Sequence, residues 1–440
     1  MARRPSDLSP QVCQARELAL TILRQLREEG FLAYLAGGCV RDHLLDLEPQ
    51  DYDVATEAHP KIVHSLFRRS RYVGEAFGVV LVQRRRASVE VATFRSEQEY
   101  LDGRRPSEVH FTNAQEDAQR RDFTINGLFE DPLARKPADR IIDFVGGTDD
   151  LKKKVIRAIG EPNERFGEDY LRMLRAVRFA AALDFRLESR TAQAIRRHSP
   201  RLSAISRERI GHEVRRMLTG ARPAQAVRLI QQLSLDAPTL NEPHRHGTLH
   251  VLRRMHRHAT FATMLAAWMV DRHVPRNREG ELVGFDLPSL SSGIARWRQA
   301  LCLSNEERDQ LRQVLKLLPR TLAWNQLTVP ERKRLLANPI WPQLWYLTGA
   351  TAQHRAGRKL VQRIKSEVHT YQDQGVSPQP LITGKDLISA GYKPGPAFGR
   401  LLQTVYDVQL EGQIDTKAQA LNWVRKQFLS SGQDATDAAQ

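Results

Sequence analysis

The residues best suited to chemistry in this 440-residue chain lie in one segment, LAGGCVRDHLLDLEPQDYDVAT. Gly37 and Gly38 stand between a short apolar run and a predicted helix, so their backbone N–H groups could hold a phosphate at the helix N-terminus. Asp51 and Asp53 are two residues apart, so in a strand both carboxylates project from one face. Adjacent carboxylate oxygens completed by substrate phosphates are the ligands that Mg²⁺ prefers.

This combination predicts metal-assisted transfer at a phosphate group. Two Mg²⁺ ions held by Asp51 and Asp53 could activate an attacking 3′-hydroxyl and stabilise a leaving pyrophosphate. A Gly-Gly pair alone is usually only a turn, and an Asp-x-Asp pattern alone usually lies in a solvated loop. Their order and spacing together indicate a site.

Hydrophobic periodicity indicates the elements that hold these residues. Residues 12–29 repeat apolar positions at helical spacing and stop at Gly30, and residues 31–35 read as a buried strand that leads into the glycine turn. From Asp150 to about residue 430 the pattern is helical and rich in Arg and Leu, with no convincing strand. Further β-like runs occur at 51–55, 79–83 and 89–94.

The predicted fold is therefore α+β, with an N-terminal mixed-sheet head followed by an all-helical remainder. Changes in pattern and stretches such as QGVSPQP at 374–380 suggest the joints between the parts. The predicted parts are a nucleotide-handling head (1–155), a helical neck (156–225), a helical body (226–375), a helical tail (376–430) and a disordered end (431–440).

The charge of the chain points to a polyanionic partner. Lys and Arg number 67 against 51 acidic residues, a formal net charge of +16. Phosphates neutralised by such side chains release condensed counterions, and the planar guanidinium of arginine, the dominant base here, suits phosphate geometry. RNA is the first expectation, and a solvated basic surface without a specific partner is the alternative.

Composition argues against a membrane or secreted protein. The longest apolar run, Phe261 to Val270, is about half of what a bilayer crossing needs. The N-terminus has no apolar signal region, and three scattered cysteines make no disulfide framework or metal-ligand pattern. We therefore expect a cytoplasmic protein, and no protein partner is implied.

At this point the sequence resembles a known family. GGCVRD followed by DYD is similar to the signature of the polymerase-beta-like nucleotidyltransferases, and more narrowly to their class II group of CCA-adding enzymes and bacterial poly(A) polymerases. Segments at 89–111, 116–131, 141–151, 167–183, 205–218 and 381–402 have counterparts in that group in the same order. The resemblance implies template-independent addition of nucleotides to RNA 3′ ends, with CTP and ATP as substrates.

One pair of residues could select the nucleotide. Asp169 and Arg172 in EDYLR stand three apart, which makes them neighbours on a helix. An ionised Asp only accepts hydrogen bonds and Arg only donates them. Cytosine and adenine offer an amino donor beside a ring-nitrogen acceptor and can pair with both, whereas guanine and uracil would turn a carbonyl oxygen towards the Asp. The resemblance assigns this selection to these two positions.

The resemblance also implies the remaining contacts of the site. Asp122 matches a further catalytic carboxylate of the poly(A) branch, although a buried structural partner for a neighbouring Arg explains it equally well. The outer arginines, at successive steps of three along the helix, suit the triphosphate. Nucleotide contacts are implied at Gly38, Arg41, Arg121, Arg175 and Arg178.

Four features favour CCA addition. VGEAFGVVLV carries Glu75 and Ala76 where bacterial poly(A) polymerases typically have two basic residues, and the chain ends in a weakly acidic rather than a basic tail. The 381–402 segment resembles the tRNA-gripping tail of CCA-adding enzymes, with Lys385 and Lys393 as candidate RNA contacts. The 93–113 stretch is uninterrupted, whereas members that add only the cytidines tend to lack part of this flexible loop. tRNA is therefore the expected RNA, and poly(A) polymerase stays the alternative.

Two other classes remain open. The middle of the chain is rich in histidine, as in relatives that carry an HD phosphohydrolase module, but the helix that should end in His-Asp ends in Val270-Asp271. This predicts a packing domain rather than a hydrolase. A non-catalytic RNA-binding relative is the other possibility, and intact Asp51 and Asp53 argue against it.

Overall fold

The computed structural model describes residues 9–73, 78–100, 106–285, 287–392 and 394–430. Glu75, Ala76, Lys393 and the predicted disordered end at 431–440 lie outside these residues. The chain divides into two compact units, one made of residues 1–247 with 296–303 and the other of residues 248–295 with 304–440. The finer division into head, neck, body and tail stays a prediction.

A seven-stranded mixed sheet forms the centre of the N-terminal region, as the sequence predicts. Its order is β3-β4-β5-β2-β1-β8-β9, and the β2–β5 pair is parallel while the other neighbours are antiparallel. The strands are β1 (Ala33–Ala36), β2 (Asp53–Thr56), β3 (Ser70–Tyr72), β4 (Val79–Arg84), β5 (Ala87–Thr93), β8 (Leu128–Glu130) and β9 (Ile141–Asp143).

The sheet forms because its strands alternate between core and solvent. In β5, Val89 and Val91 are buried whereas Ser88 and Glu90 are exposed, which is the period of two that a half-buried strand requires. One face of the sheet packs Ala36 and Ala55 with two aromatic rings, those of Phe94 and Phe129. This core fixes the strand ends from which the site residues project.

Four further strands lie outside the large sheet. The 93–113 stretch, expected as a flexible loop, contains the antiparallel pair β6 (Arg95–Tyr100) and β7 (Pro106–Phe111), and residues 101–105 are outside the described part. Two short strands, β10 (Val155–Ile156) and β11 (Arg186–Leu187), pair in parallel in a region where the sequence indicates no strand. Each has only two residues, too few for a periodic signal.

Helices make up most of the rest of the chain. The predicted first helix is confirmed, and it ends just before Gly30, whose φ is +86°. In the first unit the helices are α1 (Pro10–Glu28), α2 (Gly38–Leu44), α3 (Pro60–Leu66), α4 (Ala114–Gln119), α5 (Gly147–Lys153), α6 (Pro162–Glu168), α7 (Leu171–Leu183), α8 (Ser189–His198), α9 (Arg207–Leu218), α10 (Pro223–Gln232) and α11 (Asp236–Leu240).

The described residues of the second unit form helices joined by loops, with one isolated bridge between Arg276 and Leu282. The first of its helices is almost wholly buried, and the last three share a small core around Leu387, Val405 and Val424. No described helix is long and apolar enough to cross a membrane. The helices are α12 (Phe261–His273), α13 (Leu287–Leu301, whose end belongs to the first unit), α14 (Asn305–Leu322), α15 (Val329–Ala337), α16 (Trp341–Thr351), α17 (Arg355–Gln374), α18 (Gly384–Ser389), α19 (Pro396–Leu410) and α20 (Lys417–Ser430).

Candidate active site

An open cleft of about 860 Å³ in the first unit brings together most of the residues singled out from the sequence. Nine arginines and six carboxylates line it, so the cleft is strongly charged and positive on balance. Such a surface suits an anionic ligand that also carries a cation. The predicted site residues that line it are Gly37, Gly38, Arg41, Asp51, Asp53, Arg121, Asp122, Asp169, Arg172, Arg175 and Arg178.

The glycine turn allows close approach of the backbone to charged groups. Gly37 has a φ of +74°, a conformation that favours glycine, and a Cβ there would lie 3.0 Å from Arg121 Nη1. A Cβ on Gly38, the first residue of α2, would lie 4.0 Å from Asp51 Oδ1 and 3.8 Å from Arg41 Nη2. A ligand at this turn therefore meets backbone N–H groups, a carboxylate and a guanidinium at once.

Asp51 and Asp53 face the same cleft, as their spacing predicts. β2 begins at Asp53, and Asp51 lies just before the strand. Tyr52 between them is 1% exposed and points away, with its hydroxyl 2.9 Å from His43 Nε2. The alternation of side chains along an extended backbone thus puts the two carboxylates side by side.

The charge at Asp53 is poorly compensated by the protein. Burial, and then the negative charges of Asp51 and Glu90, raise the pKa of Asp53 to about 7, and the nearby Arg121 only partly opposes this shift. A divalent cation would relieve both the burial and the repulsion. Among the described residues no group of three or more His, Cys, Asp or Glu side chains could hold a metal, so two carboxylates would leave the other coordination positions to phosphates and water.

Asp122, which also lines the cleft, binds Arg175. Its Oδ2 accepts hydrogen bonds from Arg175 Nε and Nη2, both at 2.7 Å, and its Oδ1 accepts from Phe123 N at 2.9 Å and from Asn126 Nδ2 at 3.1 Å. Burial opposes ionisation, but the charge of Arg175 and these hydrogen bonds outweigh it and lower the pKa to about 2. Asp122 is thus ionised and holds a guanidinium in place.

Arg121 is fixed by a buried carboxylate behind it. Asp117, 1% exposed, accepts from Arg121 Nη2 at 3.0 Å and also pairs with Arg120 at 2.6 Å. Arg121 Nη1 donates to the Asn126 carbonyl at 3.3 Å, and its guanidinium lies 5.0 Å from the centre of the Phe129 ring. These contacts hold the guanidinium between the glycine turn and Asp53.

The guanidinium groups of three site arginines lie over the ring of Phe179. The guanidinium carbons of Arg178, Arg41 and Arg175 lie 4.2, 5.1 and 5.5 Å from its centre. These distances favour cation–π attraction. Each arginine has a further anchor. Arg175 is held by Asp122, Arg41 Nη1 donates to Asn126 Oδ1 at 2.7 Å, and Arg178 Nε donates to the buried Glu213 at 2.7 Å.

The expected single helix through Asp169 and Arg172 is wrong. α6 ends at Glu168, and Asp169 has a φ of −151° and a ψ of 106°, so the chain is extended there before α7 begins at Leu171. Asp169 acts as a cap, because its Oδ1 accepts from Leu171 N at 3.0 Å and its carbonyl accepts from Arg172 N at 3.0 Å. Asp and Asn compete with helix interiors and favour this position.

Both expected base-reading residues nevertheless line the cleft, and other side chains hold each of them. Asp169 Oδ2 accepts from Arg209 Nη2 at 2.6 Å, and Arg172 donates to Glu168 and to the Arg165 carbonyl. Arg209 is not among the site residues predicted from the sequence, although it lies in the ISRERIGHEVRRML segment that carries the family resemblance. The signal that could have found it is that a partly buried Asp needs a hydrogen-bonding or cationic partner.

The remaining expected residues lie elsewhere. Lys385 is exposed on α18 in the second unit and does not line the cleft. In the histidine-rich region, Asp271 accepts hydrogen bonds from Val251 N at 2.9 Å and Leu252 N at 2.9 Å, and burial raises its pKa to about 6. Asp271 thus ties α12 to the preceding turn.

Known proteins resemble this chain over most of its length. The family model of the poly A polymerase head domain matches residues 33–157, and a model described as a probable RNA- and SrmB-binding site of polymerase A matches residues 184–244. A CCA-adding enzyme of Limosilactobacillus reuteri is 33% identical over 417 residues, which span 92% of this chain and 95% of the relative.

Solved structures give the same result for the fold. The Bacillus stearothermophilus CCA-adding enzyme in complex with CTP is 27% identical, with a TM-score of 0.70 over 96% of this chain and all of that chain. A Thermotoga maritima CCA-adding enzyme in complex with tRNA is 19% identical, with a TM-score of 0.65 over 97% of this chain and 99% of that one. Given a relative at 33% identity over nearly its whole length, the chain belongs to the family of CCA-adding enzymes and is a nucleotidyltransferase.

Proposed function

We propose that this protein adds C, C and A to the 3′ end of tRNA, without a nucleic-acid template, using CTP and ATP and releasing pyrophosphate. One observation carries the proposal. The carboxylates Asp51 and Asp53 and the hydrogen-bonding pair Asp169 and Arg172 line one cleft, so a nucleotide could present its triphosphate to the first pair and its base to the second. The CCA-adding relatives support the product and the tRNA substrate.

Asp51 and Asp53 fit a Mg²⁺ site, and two ions are the expected number. When bound, Mg²⁺ supplies Lewis acidity towards the phosphate oxygens. The chain itself supplies hard oxygen ligands on one face and, through Gly38, room for a phosphate beside them. The raised pKa of Asp53 reports negative charge that the protein leaves for such a cation to balance.

The fixed arginines of the cleft would bind the triphosphate. Arg41, Arg121, Arg175 and Arg178 are each held by a carboxylate, an amide oxygen or an aromatic ring, so little side-chain freedom remains to be lost when phosphate binds. Preorganised donors of this kind stabilise the charge that develops as pyrophosphate leaves. Phosphate binding thus needs only small movements of these side chains.

Asp169 and Arg172 would read the base edge. An acceptor beside a donor matches the amino group and ring nitrogen of both cytosine and adenine, while guanine and uracil would set a carbonyl oxygen against the Asp169 carboxylate. Both side chains have partners within the chain, Asp169 with Arg209 and Arg172 with Glu168. Base pairing therefore requires each to share or exchange its partner.

Asp122 acts in this proposal as a positioning residue. Both of its oxygens accept hydrogen bonds from the chain, which leaves it poorly placed to join Asp51 and Asp53 as a third metal ligand. Its role is then to fix Arg175 over the cleft. Of the two roles that the sequence left open for Asp122, we therefore propose that of a buried partner for an arginine.

The remaining expectations also belong to the proposal. Helices of the second unit, including α18 with Lys385, would grip the body of the tRNA, and the four-part division of the chain would reflect this separation of chemistry from RNA binding. We place the reaction in the cytoplasm, where tRNA, CTP and ATP meet. No protein partner is required.

A primer comparison tests the proposal. The purified protein is given a tRNA transcript that ends at its discriminator base and, separately, an unstructured RNA oligomer of the same 3′ sequence, each with labelled CTP or ATP and Mg²⁺. We expect rapid CTP incorporation on the tRNA and poor use of the oligomer. Equal extension of both primers with ATP, without CTP use, would assign the protein to polyadenylation instead.

A further inference from the structure

A group of exposed arginines lies at one corner of the head sheet, outside the cleft. The turn of the β4–β5 hairpin is Arg85-Arg86, because Arg84 pairs with Ala87 at the end of the two strands. Arg69 and Arg71, at the start of the neighbouring edge strand β3, complete the group. These four residues, the arginine patch, line a surface depression of about 450 Å³ together with Ser70, Gln83 and Ser88.

The charges of the arginine patch are not compensated as those in the cleft are. In the cleft, carboxylates pair with Arg121, Arg175 and Arg178. Among the described residues, no carboxylate lies within ion-pair distance of any of the four patch arginines, and all four are exposed. Four like charges around one depression repel each other and attract an anion with several charges.

The hairpin turn itself gives no reason for arginine. Arg85 has a φ of +55°, and two-residue hairpin turns with positive φ favour asparagine or glycine. A charged side chain in this position adds nothing to the turn that a smaller residue would not supply better. The geometry of the turn therefore does not explain why arginine stands at this position.

The sheet places the arginine patch near the catalytic carboxylates. β5 runs parallel to β2, and Glu90 lies opposite Asp53. Ala87 comes three residues before Glu90, so at about 3.3 Å per residue the hairpin end lies roughly 10 Å further along the strand. The hairpin end projects from the same end of the sheet as Asp51, which precedes β2. In the sheet β5 lies next to β2, and β4 lies one strand further away.

We propose that the arginine patch binds backbone phosphates of the RNA substrate close to the 3′ end that is extended. The inference rests on the proposed function, because it needs a 3′-hydroxyl at Asp51 and Asp53. When the 3′ end of an RNA strand lies at these carboxylates, the phosphates a few nucleotides before that end are at the distance of the hairpin end. Guanidinium groups bind such phosphates through paired hydrogen bonds without reading sequence.

The test measures tRNA binding and its dependence on salt. The full-length double variant Arg85→Gln/Arg86→Gln and a second, Arg69→Gln/Arg71→Gln, are titrated against a labelled tRNA transcript lacking CCA at several NaCl concentrations. We expect about 5- to 20-fold weaker binding and a slope of log affinity against log salt that is shallower by about 1 to 2. The KM for CTP and the kcat at saturating tRNA should stay unchanged.

A matched control separates the arginine patch from net charge. Arg135 and Lys136 are exposed in the loop between β8 and β9, at the other edge and the other end of the sheet. Arg135→Gln/Lys136→Gln removes the same charge from the same unit and should bind tRNA like the unaltered protein. All variants should keep the unaltered melting temperature, since every changed side chain is exposed.

The outcomes are distinct. Unchanged affinity and salt slope in both patch variants, or an equal loss in the control, would overturn the proposal. So would a raised KM for CTP with unchanged tRNA binding, because the patch would then serve the nucleotide. Failure of the unaltered protein to extend tRNA would instead contradict the proposed function, and the binding measurement would still report on the patch.

Discussion

Asp169 accepts two hydrogen bonds from Arg209, one of 2.6 Å between Oδ2 and Nη2 and one of 3.4 Å between Oδ1 and Nη1. The two residues come from different elements, since Asp169 lies in the break between α6 and α7 and Arg209 lies on α9. The contact holds the carboxylate by two charged hydrogen bonds, and both residues line the cleft. A residue expected to select bases is thus positioned by a second helix.

Loss of this contact should weaken base selection. In Arg209→Ala, Asp169 loses the partner that fixes its carboxylate, so discrimination of CTP against UTP should fall by about 10- to 100-fold, the worth of one hydrogen bond to a charged group. The discrimination of Arg209→Lys should lie between those of the unaltered protein and Arg209→Ala, because lysine keeps the charge without the paired donors. Incorporation rates for each of the four nucleotides measure this. Identical relative rates in all three proteins would remove Arg209 from the selection of bases.

Removal of a catalytic carboxylate should separate chemistry from folding. Asp53→Asn should lose incorporation by at least about a thousandfold while tRNA binding remains. Because burial and Asp51 raise the pKa of Asp53, its charge is unfavourable in the folded state without metal. The variant should therefore melt at the same or a higher temperature than the unaltered protein in EDTA at pH 8.

Mg²⁺ provides the control for that substitution. It should raise the melting temperature of the unaltered protein and have little effect on Asp53→Asn or Asp51→Ala, because ligand binding to the folded state stabilises it. Equal stabilisation of all three proteins would show that the cation binds elsewhere. Full activity of either variant would contradict the metal site.

Asp122 should contribute stability that depends on pH. Its pKa is about 2 in the folded protein and about 3.9 in an unfolded chain, so its ionisation stabilises the fold above pH 4 and this gain is lost as the pH falls towards 2. Asp122→Asn should therefore lower the free energy of unfolding by about 2–3 kcal/mol at pH 7, and by less at pH 3.

Urea unfolding at several pH values measures the difference, and the exposed Asp149→Asn is the control, since that side chain is 67% exposed. The KM for CTP should also rise in Asp122→Asn, because Arg175 loses its anchor. A pH-independent loss of stability would mean that packing, not charge, explains the effect. An unchanged KM for CTP would remove Arg175 from triphosphate binding.

Phe179 should matter for binding the triphosphate although it cannot bond to phosphate. Phe179→Leu keeps an apolar side chain but removes the ring under Arg41, Arg175 and Arg178, so the KM for CTP should rise about 3- to 10-fold with a smaller change in kcat. Phe166 lies on α6 and is buried like Phe179, so Phe166→Leu is the matched control for lost packing. If both variants raise the KM equally, general loosening of the core explains the result.

The sequence predicts well those features that depend on local pattern. The alternation around Tyr52 places Asp51 and Asp53 on one face, and the helical period of residues 12–29 gives α1 to within about two residues. The glycine turn follows from the conformation that Gly37 adopts. In each case the physical cause lies within a few residues of the chain.

Features that depend on distant partners could not be predicted in this way. The helix through Asp169 is broken because its carboxylate caps α7 and is held by Arg209, forty residues away. The role of Asp122 was undecided because its partner Arg175 lies 53 residues further along. The strands β10 and β11 are too short to show a period and exist only through their pairing. Sequence patterns predict helices and strands, whereas the partners of charged side chains depend on the tertiary structure.

The length and composition of the product test the central claim most directly. A tRNA transcript that ends at its discriminator base is incubated with the full-length protein, Mg²⁺ and all four nucleotides, and the products are sized on a gel and sequenced. The cleft with its Asp169 and Arg172 predicts one product, longer by three nucleotides and ending in C, C and A, with no UMP or GMP incorporated. A ladder of long adenosine tails, or random incorporation of the four nucleotides, would contradict it.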